Sequence, residues 1–230
     1  MESNPAAAAA PLRAALFDLD GTLVRTFIDF DRMRHDLHAL SERHGIGVLT
    51  RNMDDILEIV ALMHAVLGDA PRDEAYACLE ALERKGCAAA EPVEGAADLV
   101  RELRERRGVR VAVITRNCRP VALDLVRRLG LTHDLLLARE DSAPYFKPHP
   151  EPVFHACRAL GVRPDETAMI GDLWTDIAAG RAAGVGFTVG IQWPHDPPNR
   201  FARSRPDIEV ASLKAAGDLL LARAAGRDGP

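Results

Sequence analysis

Five short apolar runs constrain this chain most, because each is separated from the next by a stretch whose apolar residues recur at helical spacing. They cover residues 13–18, 109–115, 134–138, 167–171 and 185–189. Runs this short, closed by acidic residues or glycine, are the pattern of strands buried on both faces. Strand alternating with helix predicts an α/β fold, a parallel sheet with helices on both faces. Between the first run and the second lies an insertion over residues 27–91, where amphipathic helices can be drawn over 30–44, 52–67 and 72–85 and no strand can. Pro92 and Gly95 mark the return to the alternating pattern. The expected organisation is a core of residues 12–26 and 92–230 carrying an all-helical unit over 27–91. Residues 1–11, MESNPAAAAAP, read as a disordered tail.

A length of 230 residues with 47% hydrophobic and 27% charged side chains suits one sizeable domain with a smaller insertion. The formal net charge of -5, with no concentrated basic face, argues against nucleic acid or an anionic membrane as partner. The longest apolar stretches fall well short of the roughly 20 residues a bilayer span needs. The opening residues lack the basic start and long apolar region of a secretory signal, so a cytoplasmic location is expected. Cys78, Cys87, Cys118 and Cys157 lie far apart without a CxxC pair, which indicates reduced thiols rather than a disulfide framework or zinc site. A small molecule is the expected partner, bound by a monomer or homodimer.

The chemistry-bearing residues fall at the ends of the apolar runs. In Phe17-Asp18-Leu19-Asp20-Gly21-Thr22, two carboxylates stand two residues apart at the end of the first strand and face the same side. Such a pair needs a cation or a shared proton. One carboxylate can attack phosphorus while the other, protonated, serves the leaving oxygen and later takes a proton from water. Thr115 closes the second strand and leads into Arg116 and Asn117, at the edge where open parallel sheets bind ligands. Lys147 stands among Pro148, Pro150 and Pro152, which stiffen its loop, and can bind phosphate as a point charge. Asp172 and Asp176 follow another strand and open a helix; they supply hard oxygen ligands of the kind magnesium takes. Each feature has an ordinary counterpart: a solvated Asp-Gly turn, a β-branched strand end, a surface lysine, an aspartate at a helix start. Their coincidence at strand ends is the specific signal.

With these residues together, the chain strongly resembles the haloacid dehalogenase-like hydrolase superfamily. The resemblance rests on Asp18-Leu19-Asp20-Gly21-Thr22, on Thr115, on Lys147-Pro148, and on Gly171-Asp172 through Asp176. It implies a Rossmann-like core with a helical cap inserted after the first motif, as in the phosphoglycolate phosphatase-like branch. It further implies that Asp18 is nucleophile and magnesium ligand, and that Asp20 is acid/base with its carbonyl on the metal. Asp172 would be the remaining protein ligand and Asp176 a support of the metal shell. Thr115, Arg116, Asn117 and Lys147 would hold the phosphoryl group, and the Gly190–Trp193 segment would close beside the site. The expected activity is a Mg2+-dependent phosphatase acting on a small phosphorylated metabolite, phosphoglycolate-like or a sugar phosphate, through an aspartyl-phosphate. Asp20 argues against a dehalogenase, and Lys85, alone in the insertion and near its end, against a phosphonatase.

Two other readings share the motifs: a phosphosugar mutase, and a binding module that has lost the chemistry. Where many capped relatives place Asp-Ser after the first motif, this chain has Arg25-Thr26. Arg25, with Arg34, Arg51 and His64 of the insertion, is a candidate for substrate choice, although each also fits a solvated face.

Overall fold

The structure, a computed structural model, describes residues 11–225. The tail expected over residues 1–11 therefore lies outside the described residues except for Pro11. Two compact units are present: Met1–Arg25 with Glu91–Pro230, and Thr26–Ala90.

The larger unit is built on a six-stranded parallel sheet. Its strands are β1 (Ala14–Phe17), β4 (Arg110–Ile114), β5 (Leu135–Leu137), β6 (Thr167–Gly171), β7 (Phe187–Ile191) and β8 (Ile208–Val210), in the order β5-β4-β1-β6-β7-β8. A separate antiparallel ribbon pairs β2 (Val24–Arg25) with β3 (Glu91–Pro92), with Arg25 opposite Glu91. Five strands fall within or beside the runs marked by the sequence. β8 does not, because its Ile-Glu-Val is only partly buried at the sheet edge and carries no apolar run.

Residues of β1, β6 and β7 are buried throughout, which is why these segments read as continuous apolar runs rather than alternating ones. On one face, Ala14, Leu16, Ala112, Ile114 and Met169 share a core cluster with Val153, Ala156 and Cys157 of α8 (Glu151–Leu160) and Ala179 and Ala183 of α9 (Trp174–Ala183). The opposite face takes the alternate residues Ala15, Phe17, Val111, Val113 and Ile170, all buried. Two further helices of this unit, α5 (Ala96–Arg101) and α10 (Leu213–Ala225), pack closely: a Cβ on Gly217 would come within 2.9 Å of Leu99. After α5 the chain continues through a π-helical stretch, Glu102–Arg106, that buries Leu103. The unit also holds α6 (Arg119–Arg128) and α7 (Arg139–Ser142).

At the start of the edge strands, a carboxylate accepts a neighbouring strand's N–H. Asp134 receives Val111 N–H at 2.8 Å, and Asp207 receives Thr188 N–H at 2.8 Å. The same carboxylates pair with Arg104 and Arg181, so each edge strand is tied by a charge as well as by its ladder.

The smaller unit is all-helical: α1 (Phe30–Arg43), α2 (Gly47–Thr50), α3 (Ile56–Leu67) and α4 (Asp69–Cys87). Asp29 and Asp55 cap α1 and α3 by accepting N–H groups of their first turns. Three helices are the ones drawn from periodicity; α2 is one turn long, too short for periodicity to mark. Met33, Leu37, Leu40, Leu57, Ile59, Val60, Met63, Ala75 and Leu79 are buried in this unit.

A close helix-to-sheet contact in the core is at Gly180 of α9, where a Cβ would meet Met169 Cβ at 2.8 Å and Thr188 Cγ2 at 3.2 Å. Replacing Gly180 with Val should overpack this contact and destabilise the fold by about 1–3 kcal/mol in urea unfolding. A variant as stable as wild type would mean that α9 can lift from β6 and β7 without cost.

Candidate active site

The strand order places β1 between β4 and β6, and from there the chain winds outward in both directions, to β5 on one side and to β7 and β8 on the other. Loops leaving the carboxyl ends of β1, β4 and β6 diverge at such a switch point and leave a crevice. Register brings the ends level: Phe17 pairs with Val113 and with Ile170. Asp18 follows directly, its N–H donating to the Ile170 carbonyl at 2.9 Å.

After Asp18 the chain folds back sharply. The N–H groups of Leu23 and Val24 both donate to the Leu19 carbonyl, and Gly21 N–H donates to Val24 O at 2.8 Å. Gly21 has φ +76°, a conformation glycine adopts without steric cost, and a Cβ there would come within 2.7 Å of Asp172 Cγ. Glycine at this position therefore serves both the turn and the close approach of a second carboxylate. Gly171 has a similar role, since a Cβ there would run into the side chain of Asp176.

Asp18, Asp172 and Asp176 are all buried, and each offers an oxygen within 4.8 Å of the others. Lys147 is 3% exposed, which excludes the surface lysine its loop position alone would suggest. Its ammonium lies 2.5 Å from Asp18 Oδ1, 2.7 Å from Asp176 Oδ1 and 2.7 Å from the Ile114 carbonyl. Three donors thus meet three acceptors. Lys147 is first a partner of the two carboxylates, a role not evident from its sequence position.

Asp176 serves a second purpose, its Oδ2 accepting the Leu173 N–H at 3.1 Å in the first turn of α9. Helix-start chemistry and site chemistry are performed by the same side chain, one oxygen each. Thr22, wholly buried, directs its hydroxyl at Asp172 Oδ1 at the long distance of 3.5 Å.

Asp20 lies outside the carboxylate trio; its Oδ2 accepts the side-chain amide of Asn117. Thr115 is buried at the end of β4, its N–H donating to Leu137 O at 2.9 Å and its hydroxyl accepting Asn117 N–H at 3.2 Å. Asn117 is thereby fixed at both backbone and side chain. Arg116 is half-buried between them, its carbonyl receiving an Arg139 guanidinium N–H at 3.5 Å.

The substrate-choice candidates lie on β2 and in the helical unit. Arg25 is exposed on β2, and Arg51 is exposed after α2. Within the helical unit, Arg34 pairs with Asp31 at 2.8 Å and donates to Asp54 O at 3.0 Å, and His64 lies 3.1 Å from Asp69. The last two thus have local partners, as solvated helix faces do.

Sequence reasoning missed Arg200, whose Nη1 lies 2.5 Å from Asp172 Oδ2 and 2.8 Å from Asp196 Oδ2. Its segment carries several prolines and no periodicity, so only the folded loop reveals the pairing. Trp193, placed by sequence in a loop beside the site, donates its indole N–H to the Gly21 carbonyl at 2.7 Å.

Burial is the main reason that the Asp18 carboxyl is pushed well above the ordinary range; Asp176 and Asp172 add to this and Lys147 opposes it. Asp172 is pushed up to about 7, again by burial first and Asp176 second, with Arg200 and Lys147 opposing. For Lys147, burial alone would lower the pKa, yet Asp176 and Asp18 outweigh it and hold the ammonium above its usual value. Three buried carboxylates against one buried ammonium leave negative charge in excess, and three oxygen donors within 4.8 Å are the chemistry a hard dication takes. The residues present therefore fit a divalent metal.

The comparisons with known proteins agree with this geometry. The haloacid dehalogenase-like hydrolase family matches residues 12–184. A phosphoglycolate phosphatase of Cupriavidus necator is 32% identical over 225 residues, 91% of this chain and 94% of that one. An N-acetylmuramic acid 6-phosphate phosphatase of Pseudomonas putida is 32% identical over 203 residues, 83% and 89%. Among solved structures, a hydrolase of the same family from Deinococcus radiodurans, with bound phosphate and sodium, superposes with TM-score 0.62 at 25% identity, covering 94% of this chain and 97% of that one.

A raised carboxylate pKa costs stability above pH 7 and ceases to cost it once the pH falls below the unfolded value near 4. In chelator, Asp172→Asn should therefore be more stable than wild type at pH 8, with the gap closing toward pH 5, as read by thermal melts. Wild type at least as stable as the variant at pH 8 would contradict a buried, charge-strained Asp172. With its motifs meeting at one sheet edge and its matches spanning most of its length, this chain belongs to the haloacid dehalogenase-like hydrolase family.

Proposed function

We propose that the protein is a Mg2+-dependent phosphatase that hydrolyses a small phosphomonoester through an aspartyl-phosphate on Asp18. The observation that carries this reading is the pairing of Asp18 with the buried Lys147 ammonium at 2.5 Å, with the carboxyl of Asp20 two residues on. Lys147 favours the ionised, nucleophilic form of a carboxylate whose burial works against it. Asp18, the Asp20 carbonyl and Asp172 would hold the metal, with Asp176 supporting them. When bound, Mg2+ would offset the charge shared by these carboxylates and the phosphoryl oxygens.

In the first step an Asp18 oxygen attacks phosphorus, the bond to the substrate's ester oxygen breaks, and that oxygen takes the Asp20 proton. Asn117, bonded to the Asp20 carboxyl, keeps it aimed at the leaving oxygen. In the second step Asp20 takes a proton from water as the oxygen of that water attacks phosphorus, which releases phosphate and restores Asp18. Thr115, the N–H groups around Arg116 and Asn117, and Lys147 are assigned to the transferring phosphoryl group. The helical unit, which carries none of these residues, is assigned the role of cap and the choice of substrate. The substrate is taken to be a small phosphorylated metabolite; the free thiols suit a reducing, cytoplasmic setting.

Phosphate release with Mg2+ from a panel of small phosphomonoesters tests the reading, headed by phosphoglycolate and N-acetylmuramic acid 6-phosphate, after which two relatives are named. Wild type should turn over at least one compound. Asp18→Asn should abolish release, Asp20→Asn should lower kcat by roughly 10²–10⁴, and EDTA should stop the reaction until Mg2+ is restored. Turnover that survives Asp18→Asn would sink the nucleophile assignment. Isomerised hexose phosphate with little free phosphate would instead identify a phosphomutase, and no turnover a binding module.

A further inference from the structure

Arg200 reaches Asp172 through a loop built to hold it there. Gln192 N–H extends the β7–β8 pairing by donating to Val210 O at 2.8 Å, and its side-chain amide donates to Pro197 O at 3.1 Å, closing the loop on itself. Trp193 fastens the loop to the first motif at the Gly21 carbonyl, 2.7 Å away. Phe201, next to Arg200, is 5% exposed and packs over Gly190, where a Cβ would meet Phe201 Cζ and Pro206 Cγ at 2.7 Å. Arg200 is therefore flanked by a buried anchor and held between two carboxylates: 2.5 Å to Asp172 and 2.8 Å to Asp196. A freely solvated arginine would show none of these restraints.

Resting on the metal reading given above, we propose that Arg200 is a positioning residue: a resident cation that fixes the Asp172 carboxylate and sets how tightly this site binds Mg2+. Two physical effects follow from one guanidinium. It neutralises part of the charge that buried Asp18, Asp172 and Asp176 would otherwise hold against each other, which stabilises the fold when Mg2+ is chelated. It also repels the incoming dication, which weakens metal affinity and keeps the site exchangeable rather than saturated. Asp196 shares the same Nη1 and draws the guanidinium away from Asp172, so it works in the opposite direction.

Isothermal titration of Mg2+ into wild type, Arg200→Met, Arg200→Lys and Asp196→Asn, together with thermal melts in EDTA and in saturating Mg2+, tests the assignment. Arg200→Met should bind Mg2+ about three- to tenfold more tightly, the size expected for one partly screened charge removed beside the site. It should also melt at a lower temperature in EDTA, with the deficit reduced by Mg2+. Arg200→Lys should stay near wild type in affinity, and Asp196→Asn should bind more weakly. If wild type binds Mg2+ and Arg200→Met binds it equally or more weakly, Arg200 has no such role and only this proposal falls. It falls equally if the melting deficit is the same with and without Mg2+, which marks a loop anchor alone. If wild type itself takes up no Mg2+, the metal reading falls, and this proposal with it.

Discussion

A buried ammonium shared by two carboxylates holds the catalytic edge together. Lys147 sits between Asp18 and Asp176 with its third hydrogen on the Ile114 carbonyl, so the ends of β1 and β4 and the start of α9 are tied through one nitrogen. Taking these charges out of water is costly, and their mutual attraction repays that cost only when geometry and remaining hydrogen bonds are complete. Removing one partner of such a group would leave an uncompensated buried charge, a loss of about 3–5 kcal/mol. The arrangement is thus weak evidence of stability for its own sake, and it matches the way perturbed buried carboxyls gather where chemistry is done.

The scaffold supplies what this charge cluster needs, namely a place where backbone can approach closely and water is thinned out. The parallel sheet is covered on both faces, so its strand ends are the only part of it where polar side chains can converge without disrupting the core. Gly21 lets Asp172 sit against the backbone of the first motif and Gly171 lets Asp176 sit against the end of β6, a proximity that any side chain at either position would prevent. Gly180 does the same for the helix behind them, seating α9 close enough to β6 and β7 for Asp176 to reach Lys147. Edge carboxylates Asp134 and Asp207 tie the opposite ends of the edge strands to their neighbours, while the pairing of β1 with β4 and β6 brings Asp18 level with Ile114 and Gly171.

Charge balance links this scaffold to function. Asp18 and Asp172 are both pushed up by burial, and the cations near them, Lys147 and Arg200, only partly compensate. A site of this kind is unsettled without further positive charge, which is what a dication and a phosphoryl-binding edge together would provide and exchange. The Asp20 carboxyl accepts from Asn117 while Asp18 pairs with Lys147, so two carboxylates only two residues apart are given different surroundings. Different surroundings are how neighbouring acids acquire different duties.

The sequence by itself determined the alternation of strand and helix, the position of the inserted helices, and the residues that end each strand. These depend on local periodicity, whereas the expectation that Asp18 and Asp20 share a strand face is lost where β1 ends at Phe17, since the chain folds back after Asp18 and the Asp20 carboxyl meets Asn117. It did not reveal β8, whose burial is partial, or the one-turn α2, because neither carries a periodic signal. Which charges meet was decided only by the tertiary structure. Lys147 lies 129 residues from Asp18, and Arg200 lies 28 from Asp172 across a proline-rich loop. Such contacts follow from sheet register and loop packing, which are set by burial of apolar surface elsewhere in the chain; the charged residues themselves carry no local mark of their eventual partners.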